Sequence, residues 1–139
     1  MTSPILQPVV VLVLWSLVMW AWLYATRIPA MNKAKIALDP NRTTADLTAQ
    51  LPPQVRWKAD NYNHLMEQPT IFYATALALA VTGQGEGVNA ALAWGYVALR
   101  IVHSLVQATT NVIMVRWALF MTASVVLLVL AIRAALAVF

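Results

Sequence analysis

Four apolar stretches, about Ile5 to Thr26, Asp60 to Thr82, Val88 to Thr109 and Val112 to Val138, take up most of this 139-residue chain. A helix needs about 20 mainly apolar residues to cross the roughly 30 Å hydrocarbon core of a bilayer, and each stretch is that long. The remainder cannot compensate. The chain is 61% hydrophobic and only 10% charged, against roughly 25% charged in an ordinary soluble domain, so it has too few polar side chains to cover a water-facing surface. The expected fold is all-α, a single integral-membrane domain over 1–139 built as a four-helix bundle.

The net charge of +4 does not point to nucleic acid, because the basic residues gather where membrane topology places them. Arg27, Lys33, Lys35, Arg42, Arg56, Lys58 and Arg116 fall on the side of the first and third connections, leaving Arg133 and Glu86 on the other. The excess of Lys and Arg on cytoplasmic loops then places the long connection, about 27–58, in the cytoplasm and both termini outside it. Asp39-Pro40-Asn41 and Pro52-Pro53 read as turns within that loop, and Ile28-Pro29 as the end of the first helix. Nothing basic precedes the first apolar run, which is longer than a signal-peptide core, so it reads as a retained helix. With no cysteine, any thiol chemistry has to come from a ligand.

Against this apolar background the polar residues are informative. A charge at the centre of a spanning helix costs about 2.5–3.5 kcal/mol on insertion scales, so each should have a partner, a cavity or a function. On the third helix Arg100, His103, Ser104, Gln107 and Asn111 recur at helical spacing along one face, and on the second Asp60, Asn63, His64, Glu67 and Thr70 do the same. Two polar faces opening on one membrane side imply a shared pocket, with Glu67 and Arg100 as an ion pair. Such a pair can be purely structural, fixing helix register. The surplus of donors and acceptors also suits a ligand carrying carboxylates and amides. His64 and His103 could also act as axial haem ligands, although two histidines alone are a weak signal. Ala74, Ala78, Ala90, Ala93 and Ala98 are read as close-packing positions.

The segment Asn61-Tyr62-Asn63-His64-Leu65-Met66-Glu67-Gln68-Pro69-Thr70-Ile71-Phe72, followed by Leu99-Arg100-Ile101-Val102-His103-Ser104 and then Arg116, resembles the MAPEG family, the membrane-associated proteins of eicosanoid and glutathione metabolism. The likeness covers nearly the whole chain and is to divergent, bacterial-type members, which implies the bacterial inner membrane. It implies a four-helix protomer assembling as a homotrimer among membrane lipids, with glutathione as co-substrate between subunits on the cytoplasmic side. By position Arg116 resembles the arginine that stabilises the glutathione thiolate, Glu67 the glutamate that holds the tripeptide, and Asn63 or His64 the neighbouring asparagine; Arg100, His103, Gln107 and Asn111 complete the implied binding set. The chain departs from the Arg-x3-Asn-x2-Glu spacing of glutathione-using members, having Asp60 and His64 at the first two positions. It also offers His103 and Gln107 where the eicosanoid enzymes carry tyrosines. Two functions are open at this point: a glutathione-dependent transferase or peroxidase acting on hydrophobic electrophiles, or a non-catalytic subunit of a larger membrane complex or lipid-binding module.

Overall fold

The computed structural model describes residues 2–139. It contains six helices among them: α1 Leu6–Ala34, α2 Thr44–Thr48, α3 Pro53–Leu65, α4 Pro69–Val81, α5 Gly87–Thr109 and α6 Ile113–Val138. Four are the main elements of the bundle if α3 and α4 are taken as two halves of one. α1 and α6 are each long and apolar enough to cross a membrane.

Prolines account for two departures from the sequence expectation. α1 does not stop at Pro29 but carries it inside the helix and ends at Ala34. A helical proline frees the carbonyl four residues back. Here that residue is Ala25, which is exposed beside Arg27, so water at the headgroup boundary can satisfy it. The helix ends instead on Lys35, whose left-handed backbone (φ 51°) lets the amides of Ile36 and Lys35 reach Met31 O at 3.3 Å and Asn32 O at 3.2 Å, the paired bonds of a Schellman turn. The second departure is a break in the second crossing. α3 closes with a tight turn in which the amides of Met66 and Glu67 reach back three residues to Asn63 O and His64 O. Pro69, with no N–H to offer α3, takes the first position of α4.

The long connection is partly structured. Thr43 and Asp46 cap each other's backbone amides at the start of α2, Arg27 donates to Thr48 Oγ1 at 3.3 Å, and the Lys58 ammonium lies 5.0 Å from the Trp22 ring. These contacts fold the loop back over the end of α1.

The tight turns use the residues their geometry requires. Gly83 and Gly87 have positive φ in the α4–α5 turn, and Asn111 (φ 54°) turns the chain between α5 and α6. The most extensive packing is between α5 and α6, with α1 against α3, α4 and α5. Where helices meet, Ala76, Ala93 and Ala123 are fully buried, small side chains that let backbones approach. Of the alanines picked out by sequence, only Ala93 is buried; Ala74 and Ala98 face outward. Phe72 stacks on Tyr96 with ring centroids 4.5 Å apart, joining α4 to α5 in the middle of the core.

Candidate functional site

α5 turns its polar face inward. Arg100 and Ser104 are completely buried, and His103 and Gln107 are 3% and 5% exposed. The second crossing does the opposite: Asp60 and Asn63 on α3, Glu67 in the turn after it and Thr70 at the start of α4 all lie on the outside of the chain, and of this set only His64 turns in. The two faces therefore do not close on one pocket within a single chain. Helical spacing states which residues share a face; the packing of Ala59, Asn61 and Leu65 inward decides which way the face of α3 points.

The expected Glu67–Arg100 ion pair is not made. His64 stands between the two: its Nε2 is 3.3 Å from Arg100 Nη1 and its Nδ1 3.3 Å from Glu67 Oε2. The reason is geometric, since Glu67 sits in the turn after α3 with a side chain 68% exposed and cannot reach back to the core. Because a guanidinium can only donate, Nε2 must accept and the ring proton sits on Nδ1, where it donates to the carboxylate. Arg100 also donates to His64 O at 3.4 Å, and its guanidinium carbon lies 5.6 Å from the Phe120 ring.

Beside this chain of contacts is a cavity of about 190 Å³ lined by His64, His103, Ile113, Arg116, Trp117 and Phe120. Arg116 is in the first turn of α6, and its Nη1 donates to Asn111 Oδ1, so the residue that makes the α5–α6 turn also aims the arginine. The rings of His64 and His103 are 4.8 Å apart and tilted by 34°. Rings that close and so nearly stacked leave no room for a macrocycle between them, so the pair does not fit two axial haem ligands. Several buried polar atoms here make no hydrogen bond within the protein: Arg100 Nε, His103 Nδ1, Ser104 Oγ, Gln107 Oε1 and Arg116 Nε. A second cavity, of about 340 Å³, lies further out under the loop and is lined in part by Arg27, Thr48, Arg56, Asp60 and Asn63.

The MAPEG family model matches residues 5–136. The chain belongs to the MAPEG family. No curated protein and no solved structure matches it. The MAPEG assignment carries the four-helix membrane fold with it. It also gives the departures from the family spacing a structural setting. Asp60, at the position where the family spacing has an arginine, shares its cavity with Arg27 of α1 and with Arg56, one turn earlier on α3.

Four residues of this MAPEG protein escaped the sequence reading. Tyr96, one turn before Arg100 on the same face of α5, donates to Gln68 Oε1 at 3.1 Å. Gln68 Nε2 in turn donates to Ser124 Oγ at 2.8 Å. Phe120 and Ser124 follow Arg116 at four-residue intervals, so extending the helical spacing from Arg116 would have found both.

Proposed function

We propose that this MAPEG protein is a glutathione-dependent transferase or peroxidase that acts on hydrophobic electrophiles dissolved in the bilayer. The observation that carries the reading is Arg116, tied by Asn111 at the edge of a cavity whose other walls are the aromatic side chains of Trp117 and Phe120 and the imidazoles of His64 and His103. A cation fixed beside a thiol lowers its pKa from about 8.5 and raises the thiolate fraction. The thiolate sulfur then bonds to the electrophilic carbon, and the thiol proton passes to the adduct or leaves with the displaced group; with a lipid hydroperoxide the sulfur instead takes the terminal oxygen as the O–O bond breaks, the alcohol leaves with the proton, and a second glutathione displaces water from the sulfenic acid to give the disulfide.

The outer cavity supports the same ligand. Glutathione has two carboxylates and one ammonium; Arg27 and Arg56 suit the former and Asp60 the latter. Asn63, which lines the same cavity, would meet the peptide on its own chain, exposed Glu67 would meet it from a neighbouring copy, and Arg100, His103 and Gln107 would reach it through small shifts or water. Exposed Asp60, Asn63, Glu67 and Thr70 are costly against lipid unless covered, which favours a homotrimer whose interfaces complete the site. The basic loop is assigned to the cytoplasm and both termini to the far side, in the bacterial inner membrane.

The same exposed polar residues of the second crossing also favour a second reading, in which the protein packs against others as a non-catalytic subunit of a larger membrane complex. Conjugation of glutathione to a small aromatic electrophile, measured on detergent-purified protein beside Arg116→Ala, separates the two. Turnover lost in the variant supports the enzyme. Neither turnover nor thermal stabilisation at millimolar glutathione, together with co-purification of a large assembly, would establish the second.

A further inference from the structure

The other end of the bundle holds an arginine with no part in this chemistry. Arg133 lies on α6 seventeen residues after Arg116, about 26 Å along the helix at 1.5 Å per residue, so the two stand near opposite faces of one bilayer. An arginine near the end of a membrane helix ordinarily extends freely to the interface. This one is tied down. Its Nε donates to Asn89 Oδ1, and Asn89, 3% exposed, donates its own Nδ2 to Gln84 O at 2.7 Å. The turn fixes the asparagine, and the asparagine fixes the guanidinium.

With Nε engaged, the two Nη nitrogens keep their four N–H groups, which make no hydrogen bond among the described residues. Arg133 lines a cavity of about 300 Å³ together with Gln84, Asn89, Leu136 and Ala137. Asn89 is in the first turn of α5, a helix whose N-cap residue is Glu86 and whose first turn holds no acid. Glu86, the nearest acid in the chain, does not line the cavity. Leu136 and Ala137 make the remaining wall apolar. That combination suits an anion attached to hydrocarbon better than one diffusing freely in water.

We propose that Arg133, oriented by Asn89 and joined by Gln84, binds the phosphate of a membrane-lipid headgroup in the leaflet opposite the Arg116 cavity. The site does not depend on the enzyme reading and would stand or fall separately. An arginine near an anionic surface is worth about 1 kcal/mol, roughly fivefold in affinity.

The test is native mass spectrometry of the detergent-purified full chain titrated with phosphatidylglycerol, with inorganic phosphate and glycerol phosphate as soluble competitors. Arg133→Gln should lower lipid retention about fivefold, Asn89→Ala should lower it less, and Arg133→Lys should fall between Arg133→Gln and the parent. Ala137→Leu, which narrows the cavity without touching the Arg133–Asn89 pair, keeps the test decisive if Arg133→Gln fails to fold, and should also lower retention. Retention unchanged in Arg133→Gln, or in Ala137→Leu should the first variant not fold, would overturn the proposal. So would displacement of the lipid by low-millimolar phosphate or glycerol phosphate, which would make the ligand a free anion.

Discussion

The two ends of the α5–α6 hairpin use the same device in different surroundings. At one end Asn111, just past α5, holds Arg116 in the first turn of α6; at the other Asn89, in the first turn of α5, holds Arg133 near the end of α6. What differs is the company each arginine keeps. Arg116 shares a cavity with two imidazoles and two large aromatic side chains. Arg133 has only amides and aliphatic groups around it. If both proposals hold, an arginine fixed by an asparagine is an anion holder at either end, and its neighbours decide whether the anion is made reactive or merely held. Groups that can pass a proton or stack on an electrophile are present at the first end and missing from the second.

The sharpest break in that comparison comes from Arg116→Ala. Glutathione conjugation should fall about 100-fold in kcat/KM, the usual loss when one charge-stabilising donor is removed. A change under threefold would make the two ends equivalent holders with no chemistry at either. The next largest effect lies between them. Gln68→Leu strands the Tyr96 hydroxyl in the core, while Ser124 keeps its bond to Phe120 O, and should cost about 2 kcal/mol of stability, as for other buried polar groups left unpaired, read as a lowered denaturation midpoint in detergent. A neutral result would mean that the ends are held apart by apolar packing alone.

Matched lesions sharpen the comparison further. Asn111→Gly keeps the positive φ of the turn (54°) while deleting the tether on Arg116, and should lower kcat/KM about tenfold through misplacement of the guanidinium. Asn89→Gly, the same deletion at the other end, should lower lipid retention and leave kcat/KM within about twofold. If both variants lowered turnover equally, the two tethers would be acting on overall stability. The smallest expected effect is that of Glu67→Gln. It leaves Oε1 to accept from His64 but removes the charge of an exposed carboxylate, and should raise the glutathione KM about threefold with kcat unchanged.

The fold was largely legible because bilayer thickness fixes helix length, and the apolar stretches state those lengths directly. Pro29 and Pro69 depart from the sequence expectation in opposite directions. Pro29 does not end α1, because a proline close to water frees a carbonyl that water can bind. Pro69 does not continue a helix, because the tight turn around Met66 and Glu67 ends α3 four residues before it. The site was legible on α5, where spacing alone grouped Arg100, His103, Ser104 and Gln107 on the face that is buried. It was illegible on the second crossing, because α3 packs Ala59, Asn61 and Leu65 inward and so leaves Asp60 and Asn63 outside, while the break after Leu65 puts Glu67 in an exposed turn and lets His64 replace the expected ion pair. Arg27 and Arg56 could not be assigned to the neighbourhood of Asp60 from sequence, since that juxtaposition depends on the fold of the long loop.

The Tyr96–Gln68–Ser124 chain has a consequence for how the protein is made. Both ends of the Gln68 amide are committed, one to α5 and one to α6, from a position just before α4. No pair of these helices satisfies all three groups. A partly inserted chain therefore carries unpaired polar atoms into hydrocarbon whichever helix is missing, and only the complete set of crossings removes them. Insertion should behave as an all-or-none event for the last three helices. A truncated translation product would then expose a polar defect in the membrane, the kind of feature by which quality-control proteases can recognise an orphaned helix.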